Sequence, residues 1–198
     1  MQPLIGLVIC GGYSTRMGTD KSLLHYHGQP QRNHLYHLLE PYCEKVFISC
    51  NSDQAGTIDH NLAFITDNEQ YMHTGPMAAI LSAFDRHPNQ ALLAIGCDYP
   101  FITKENILYM VSNRDENKAA VGFYNEAVKL YEPLLCIYEK DMAEIIRNNF
   151  QQQQYALQKI LQQVNAGKLY PKETRIIQSI DTVADHLAAL AKLKKMQG

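Results

Sequence analysis

Leu4-Ile5-Gly6-Leu7-Val8-Ile9-Cys10 is a continuous apolar run that stops at two glycines, Gly11-Gly12. A strand reads this way when both of its faces are covered, as in a parallel sheet. Similar runs follow at Val46-Phe47-Ile48-Ser49-Cys50, at Leu62-Ala63-Phe64-Ile65 and at Ala91-Leu92-Leu93-Ala94-Ile95. Helical patterns separate them, around Asn33 to Leu39 and from Pro76 to Phe84, where Met77, Ile80, Leu81 and Phe84 recur at helical spacing. Thr103 before Glu105, Ile107, Leu108 and Val111 predicts a capped amphipathic helix. Strand and helix in alternation imply an α/β fold with a mostly parallel sheet.

Past residue 118 the pattern changes. Ala119–Tyr124 and Val128–Tyr131 read as strands about an Asn125-Glu126 turn, with a third strand over Leu134–Tyr138. That predicts an antiparallel insertion on the parallel sheet. Gln151 to Gln154 read as the polar surface of a helical connection. Arg175–Ile180 predicts a last strand, and Val183–Lys195 a last helix whose terminal lysines suit its dipole. No repeat and no long linker interrupts the 198 residues, so one domain over 1–198 is expected.

Composition narrows the function. Apolar residues make up 46% and charged residues 19%, which suits a globular core. The formal net charge of -2 argues against a protein that coats nucleic acid. No apolar run approaches a bilayer span, and Met1-Gln2-Pro3-Leu4 lacks a signal peptide's charged start. Cys10, Cys43, Cys50, Cys97 and Cys136 form an odd set without a C-x-x-C pair, as expected of reduced thiols in a cytoplasmic protein. His25 and His27, or His34 and His37, have spacing that can serve zinc, but no third ligand accompanies them, and surface or half-buried histidines are the better reading.

The chemistry concentrates in Gly11-Gly12-Tyr13-Ser14-Thr15-Arg16-Met17-Gly18-Thr19-Asp20-Lys21. Loops at the carboxyl ends of parallel strands bind ligands, and glycines let backbone N–H groups approach anionic oxygens. Arg16 and Lys21 add two cations for a polyphosphate. It is not a Walker A loop, because Thr19 and Asp20 separate Gly18 from Lys21, and it lacks the Rossmann G-x-G-x-x-G spacing. Asp98 directly follows an apolar strand, at the same sheet edge, where a hard carboxylate oxygen can hold Mg²⁺ between phosphates. Gly75-Pro76 is a turn feeding a helix N-terminus, a natural place for a base or a phosphate. Asn51 and Asp67 close two further strands, and Asp can pair with the N1–H and N2–H₂ of guanine. Turn or helix capping is the plain alternative for Asn51, Asp67 and Asp98.

The loop resembles the L-A-G-G-x-S-x-R-M-G-x-D-K signature of nucleotidyltransferases, above all the molybdenum cofactor guanylyltransferases. Gly75-Pro76-Met77-Ala78-Ala79-Ile80 is similar to that family's G-P-L-A-G-I, and Cys97-Asp98-Tyr99-Pro100-Phe101 to its C-D-x-P-F. The family's N-x-N-T-P-x-D is met only in part by Ser179-Ile180-Asp181-Thr182-Val183-Ala184-Asp185, where Asp181 either holds a metal or caps the last helix. The resemblance implies a three-layer, Rossmann-like nucleotidyltransferase fold with helices on both faces. It implies transfer of GMP from GTP to molybdopterin-type cofactor, with Mg²⁺ held by Asp98 and a cofactor carrier or molybdoenzyme chaperone as a protein partner. It makes Arg16, Lys21 and Asp98 catalytic, and Ile9, Gly11, Gly12, Ser14, Lys21, Asn51, Asp67, Gly75, Pro76 and Asp98 the nucleotide contacts. Another base or acceptor, such as CTP or a sugar phosphate, and a non-catalytic nucleotide-binding module are the alternatives.

Overall fold

The computed structural model describes residues 3–10 and 20–197. Seven strands form one sheet in the order β3-β2-β1-β4-β6-β5-β7. They are β1 (Leu4–Ile9), β2 (Lys45–Cys50), β3 (Phe64–Thr66), β4 (Ala91–Gly96), β5 (Ala120–Asn125), β6 (Leu130–Tyr138) and β7 (Gly167–Leu169). β1 to β4 run parallel, and β6 is antiparallel to both its neighbours, β4 and β5. Among the described residues the helices are α1 (Gln31–Leu39), α2 (Ser52–Ala55), α3 (Pro76–Arg86), α4 (Lys104–Ser112), α5 (Met142–Gln151), α6 (Leu157–Gln163) and α7 (Val183–Gln197), besides short 3₁₀ turns.

Side-chain alternation divides β1 between two cores. Leu4 and Val8 face a core with Leu35 and Leu39 of α1 and Ile107 and Met110 of α4. Ile5, Leu7 and Ile9 face the other, with Met77, Ile80, Leu81 and Phe84 of α3 and the apolar faces of α5 and α6. The result is a sheet between two helical layers, as the sequence predicts. A third cluster holds Tyr26, Phe101 and Ile180 against Ala189 and Leu193 of α7. No helix among the described residues is long and apolar enough to cross a membrane.

Three expectations need correction. Val128–Tyr131 and Leu134–Tyr138 are not separate strands: residues 126–129 turn, and β6 runs unbroken from Leu130 to Tyr138. Pro133 lies within it because the β5–β6 register shifts between Gly122 and Tyr124, where a missing N–H is tolerated. Arg175–Ile180 forms no strand. Ile176 and Ile177 are consecutive yet buried in the same core, whereas neighbouring strand residues would face opposite sides of the sheet, and Thr174–Ile177 is a 3₁₀ turn. The last strand is instead β7, whose three residues are too few to show a period. Gly167 is needed there, since a Cβ would stand 2.9 Å from Val121 Cγ2.

Arg114, just past α4, is buried against Glu139 at the end of β6. Its Nε donates to Oε1 at 2.6 Å and its Nη2 to Oε2 at 2.7 Å. Glu139→Ala should cost about 3 kcal/mol by leaving a buried guanidinium without its main counter-charge. Arg114→Met with Glu139→Leu should cost far less, and urea titration of both variants checks the difference.

Candidate functional site

Ile9 of β1 is level with Ser49 of β2 and with Gly96 of β4, so the three strands end together. The ladder continues past them, with Cys10 N–H donating to Ser49 O and Cys97 N–H to Ile9 O, both at 3.0 Å. Asp67 N–H donates to Cys50 O at 2.9 Å and extends the same edge to β3. The edge therefore carries, in spatial order, Asp67, Asn51, Cys10 and Asp98. Three inter-strand steps make this about 14 Å, room for a nucleotide laid across the strand ends.

Among the predicted residues, Gly11, Gly12, Ser14 and Arg16 lie outside the described residues. Ile9 is a core residue whose carbonyl is taken by Cys97. Asn51 caps α2: its Oδ1 accepts from the N–H of Gln54 at 2.9 Å, and its own N–H donates to Gln54 Oε1. Asp67 accepts from Ser49 Oγ at 2.6 Å, while burial pushes its carboxyl above the usual range. Gly75 has φ 63° and ψ -139°, backbone that favours glycine, and it turns the chain into α3 with Pro76 as the first helical residue.

Lys21 and Asp98 are brought together, and the third member of their group comes from the far end of the chain. Ile180 N–H donates to Asp98 O at 2.9 Å, which docks the 178–182 segment on the edge. Lys21 Nζ then meets Asp181 Oδ1 at 2.6 Å, and Ser179 Oγ donates to Asp181 Oδ2 at 3.1 Å. The divergent C-terminal motif is thus part of the site. At the start of α7, Thr182 and Asp185 hydrogen-bond each other.

Asp98 Oδ1 is shut off from solvent and has no hydrogen-bond partner among the described residues. Burial pushes this carboxyl up to about 6; the charge of Lys21 works against that rise, and those of Asp181 and Glu132 add to it. Gly96 makes room for it, since a Cβ there would stand 2.4 Å from Oδ1. Because β6 is antiparallel, its start reaches the same edge, where Glu132 Oε2 accepts from Tyr99 OH at 2.9 Å. A buried, unpartnered carboxylate oxygen is one hard donor that a cation could use, but among the described residues no group of three or more His, Cys, Asp or Glu is placed to hold a metal ion. Of the histidines, His27 reaches the segment after Asp98, with its Nε2 2.9 Å from Pro100 O. His27 and His34 stack at 3.9 Å, and burial first, then the neighbouring His27 and His37, lowers His34 to about 4.

Two features had no reading in the sequence. Gln31, Arg32 and Asn33, three polar residues in succession, are all buried at the start of α1. Gln54 is buried, with its side chain on Cys10 and Asp20. An unbroken polar triplet at a helix start was the signal for the first; nothing marks Gln54 until α2 is placed.

Residues 6–168 match the MobA-like NTP transferase domain family. A molybdenum cofactor biosynthesis bifunctional protein of Synechocystis sp. is 31% identical over 185 residues, 93% of this chain and 53% of that protein. The chain thus spans about half the length of that relative. A molybdenum cofactor guanylyltransferase of Pseudomonas fluorescens is 30% identical over 144 residues, 69% of this chain and 68% of the relative. In structure, the molybdopterin-guanine dinucleotide biosynthesis protein A of Archaeoglobus fulgidus aligns with a TM-score of 0.78 at 19% identity, over 98% of this chain and all of the other.

Asp98 gives a pH-dependent expectation. Its carboxyl titrates near 6 in the folded chain against an ordinary 3.8, so folding disfavours its ionised form. That penalty is absent below the ordinary value, grows between the two, and is complete above 6. Asp98→Asn should therefore stabilise the protein at pH 7.5, on the order of 1–2 kcal/mol, and leave it unchanged near pH 4. Melting curves at both pH values check this; a capping role for the carboxylate would instead show as a loss at pH 7.5.

Proposed function

Because the chain belongs to the MobA-like NTP transferase domain family, we propose that it transfers GMP from GTP to the phosphate of molybdopterin-type molybdenum cofactor, releasing pyrophosphate. The observation that carries this reading is the meeting of Lys21, Asp98 and Asp181 on the sheet edge that the glycine loop follows. The whole chain, 1–198, acts as one nucleotidyltransferase domain in the cytoplasm, with GTP and the molybdopterin cofactor as substrates and a cofactor carrier or molybdoenzyme chaperone receiving the product.

In the reaction an oxygen of the acceptor phosphate bonds to the α-phosphorus. The bond from that phosphorus to the bridging oxygen of the β-phosphate breaks, and pyrophosphate leaves with the electron pair. An acceptor phosphate is already ionised at neutral pH, so no general base is required. The barrier is the approach of two anions and the charge gathered on the leaving group, so positioning and electrostatics carry the catalysis. Arg16 and the amides of the glycine loop hold the β- and γ-phosphates, while Lys21 neutralises the α-phosphate as it becomes five-coordinate. Asp98, with Asp181 beside it, would hold Mg²⁺, which supplies charge neutralisation to the phosphate oxygens when bound.

The base sits on the β2–β3 side. Gly75 and Pro76 shape the entry to α3, and Asp67 offers acceptor oxygens to the N1–H and N2–H₂ of guanine. Asn51 has spent its oxygen on α2 and contributes its amide donor alone. Asp67 is the feature that favours guanine over cytosine.

Identifying the product by mass spectrometry, with GTP and CTP competing for the loaded acceptor, tests the reading. A guanine dinucleotide is expected; a cytosine product overturns the choice of base, and no product at all overturns the transfer. Lys21→Ala should lower kcat about 100-fold while KM for GTP moves only a few-fold, because its charge matters most in the transition state. Steady-state pyrophosphate release measures both constants.

A further inference from the structure

Gln54 takes no part in the proposed chemistry, yet it is only 8% exposed and its side chain is fully engaged. Its Nε2 donates to Asp20 Oδ2 at 2.8 Å and to Cys10 O at 3.3 Å. Those two residues stand immediately before and after the glycine-rich segment 11–19. Its Oε1 accepts from Asn51 N–H at 3.1 Å, so the amide is held from the other side as well. Its carbonyl accepts from Thr57 Oγ at 2.7 Å, and the buried Arg32 guanidinium holds Thr57. The clasp is thus tied, through the exposed turn residue Thr57, to the buried Arg32.

Asp20 carries the effect onward. Its other oxygen, Oδ1, accepts from Ser22 N–H at 2.9 Å and caps the 3₁₀ turn Lys21–Leu23, which begins at Lys21. We infer that Gln54 is a positioning residue for Lys21, fixing the carboxylate that orients the lysine's turn and the spacing between the two ends of the glycine loop. The inference rests on Lys21 acting at the transferred phosphate. A carboxylate gripped by two donors on its two oxygens has little freedom, and the residue after it inherits that order. The family signature contains the aspartate and the lysine, and the glutamine that grips the aspartate comes from α2, more than thirty residues on.

The test uses the full chain. Gln54→Leu keeps the bulk of the side chain and removes its hydrogen bonds. At a temperature well below its melting point, kcat with GTP should fall about tenfold while KM for the acceptor stays unchanged. Gln54→Glu should lose at least as much, because it sets two carboxylates face to face. Adding Asp20→Asn to Gln54→Glu restores one donor–acceptor pair with the roles exchanged, and should recover several-fold of the loss. Wild-type kinetics in Gln54→Leu, with only a lower melting temperature, would overturn the positioning role. So would failure of the exchange to rescue Gln54→Glu, and this pair decides the matter if the leucine variant does not fold. Should the wild type release no pyrophosphate from any nucleotide, the functional reading falls and the clasp is judged by trypsin. Cleavage after Lys21 should then run several-fold faster in Gln54→Leu, and an unchanged rate would count against the clasp itself.

Discussion

The level ending of three parallel strands is the constraint on which the rest depends. Ile9, Ser49 and Gly96 share one rung, so Cys10, the start of α2 after Cys50 and the carboxylate of Asp98 lie side by side. Register of this kind is set by burial. β1 divides its side chains between two cores, and a slip of one residue would exchange the faces of all of them. Core packing and site geometry are one arrangement seen from two sides. Gly6 shows the link, since a Cβ there would stand 3.1 Å from Val46 Cγ2 and 3.3 Å from Leu39 Cδ1.

On this frame charge is placed against its own preference. Asp98 is buried beside Asp181 and Glu132, with Lys21 as the cation of the described group. Such a cluster costs stability in the absence of a bound cation. It also exchanges solvent reorganisation for fixed dipoles and charges, which is where phosphate transfer gains its rate. The antiparallel strand β6 completes the edge by delivering Glu132 where a parallel strand would present its far end. The segment near Ile180 joins the site through a backbone hydrogen bond to Asp98 and the Lys21–Asp181 ion pair. Lys21 and the residues gathered around it thus come from the first, second and last parts of the chain.

The sequence made the parallel half of the sheet legible because β1, β2 and β4 are buried on both faces and read as continuous apolar runs. Lys21 and Asp98 were legible because each follows such a run within a specific motif. The later half was less so. β6 reads as two strands because Pro133 interrupts its pattern, and β7 has three residues, too few for any period. Asp181 was readable only as a departure from the family's asparagine, since its contact with Lys21 spans 160 positions of sequence. Gln54 was not readable at all. A buried glutamine is defined by its partners, and those partners are fixed only once α2 is folded against β1. Asn51, read from sequence as a base contact or a turn residue, places its Oδ1 in the fold as the cap of that same short helix.

The claim that the edge holding Lys21, Asp98 and Asp181 is where phosphates are handled can be tested by crystallography. Crystals grown with Mn²⁺ and a non-hydrolysable GTP analogue would locate the metal by its anomalous scattering. A manganese peak in contact with the Asp98 carboxylate, with phosphate oxygens beside it and Lys21 turned to them, is the expected result. Manganese bound elsewhere, with Asp98 uncoordinated and Lys21 still paired to Asp181, would contradict it.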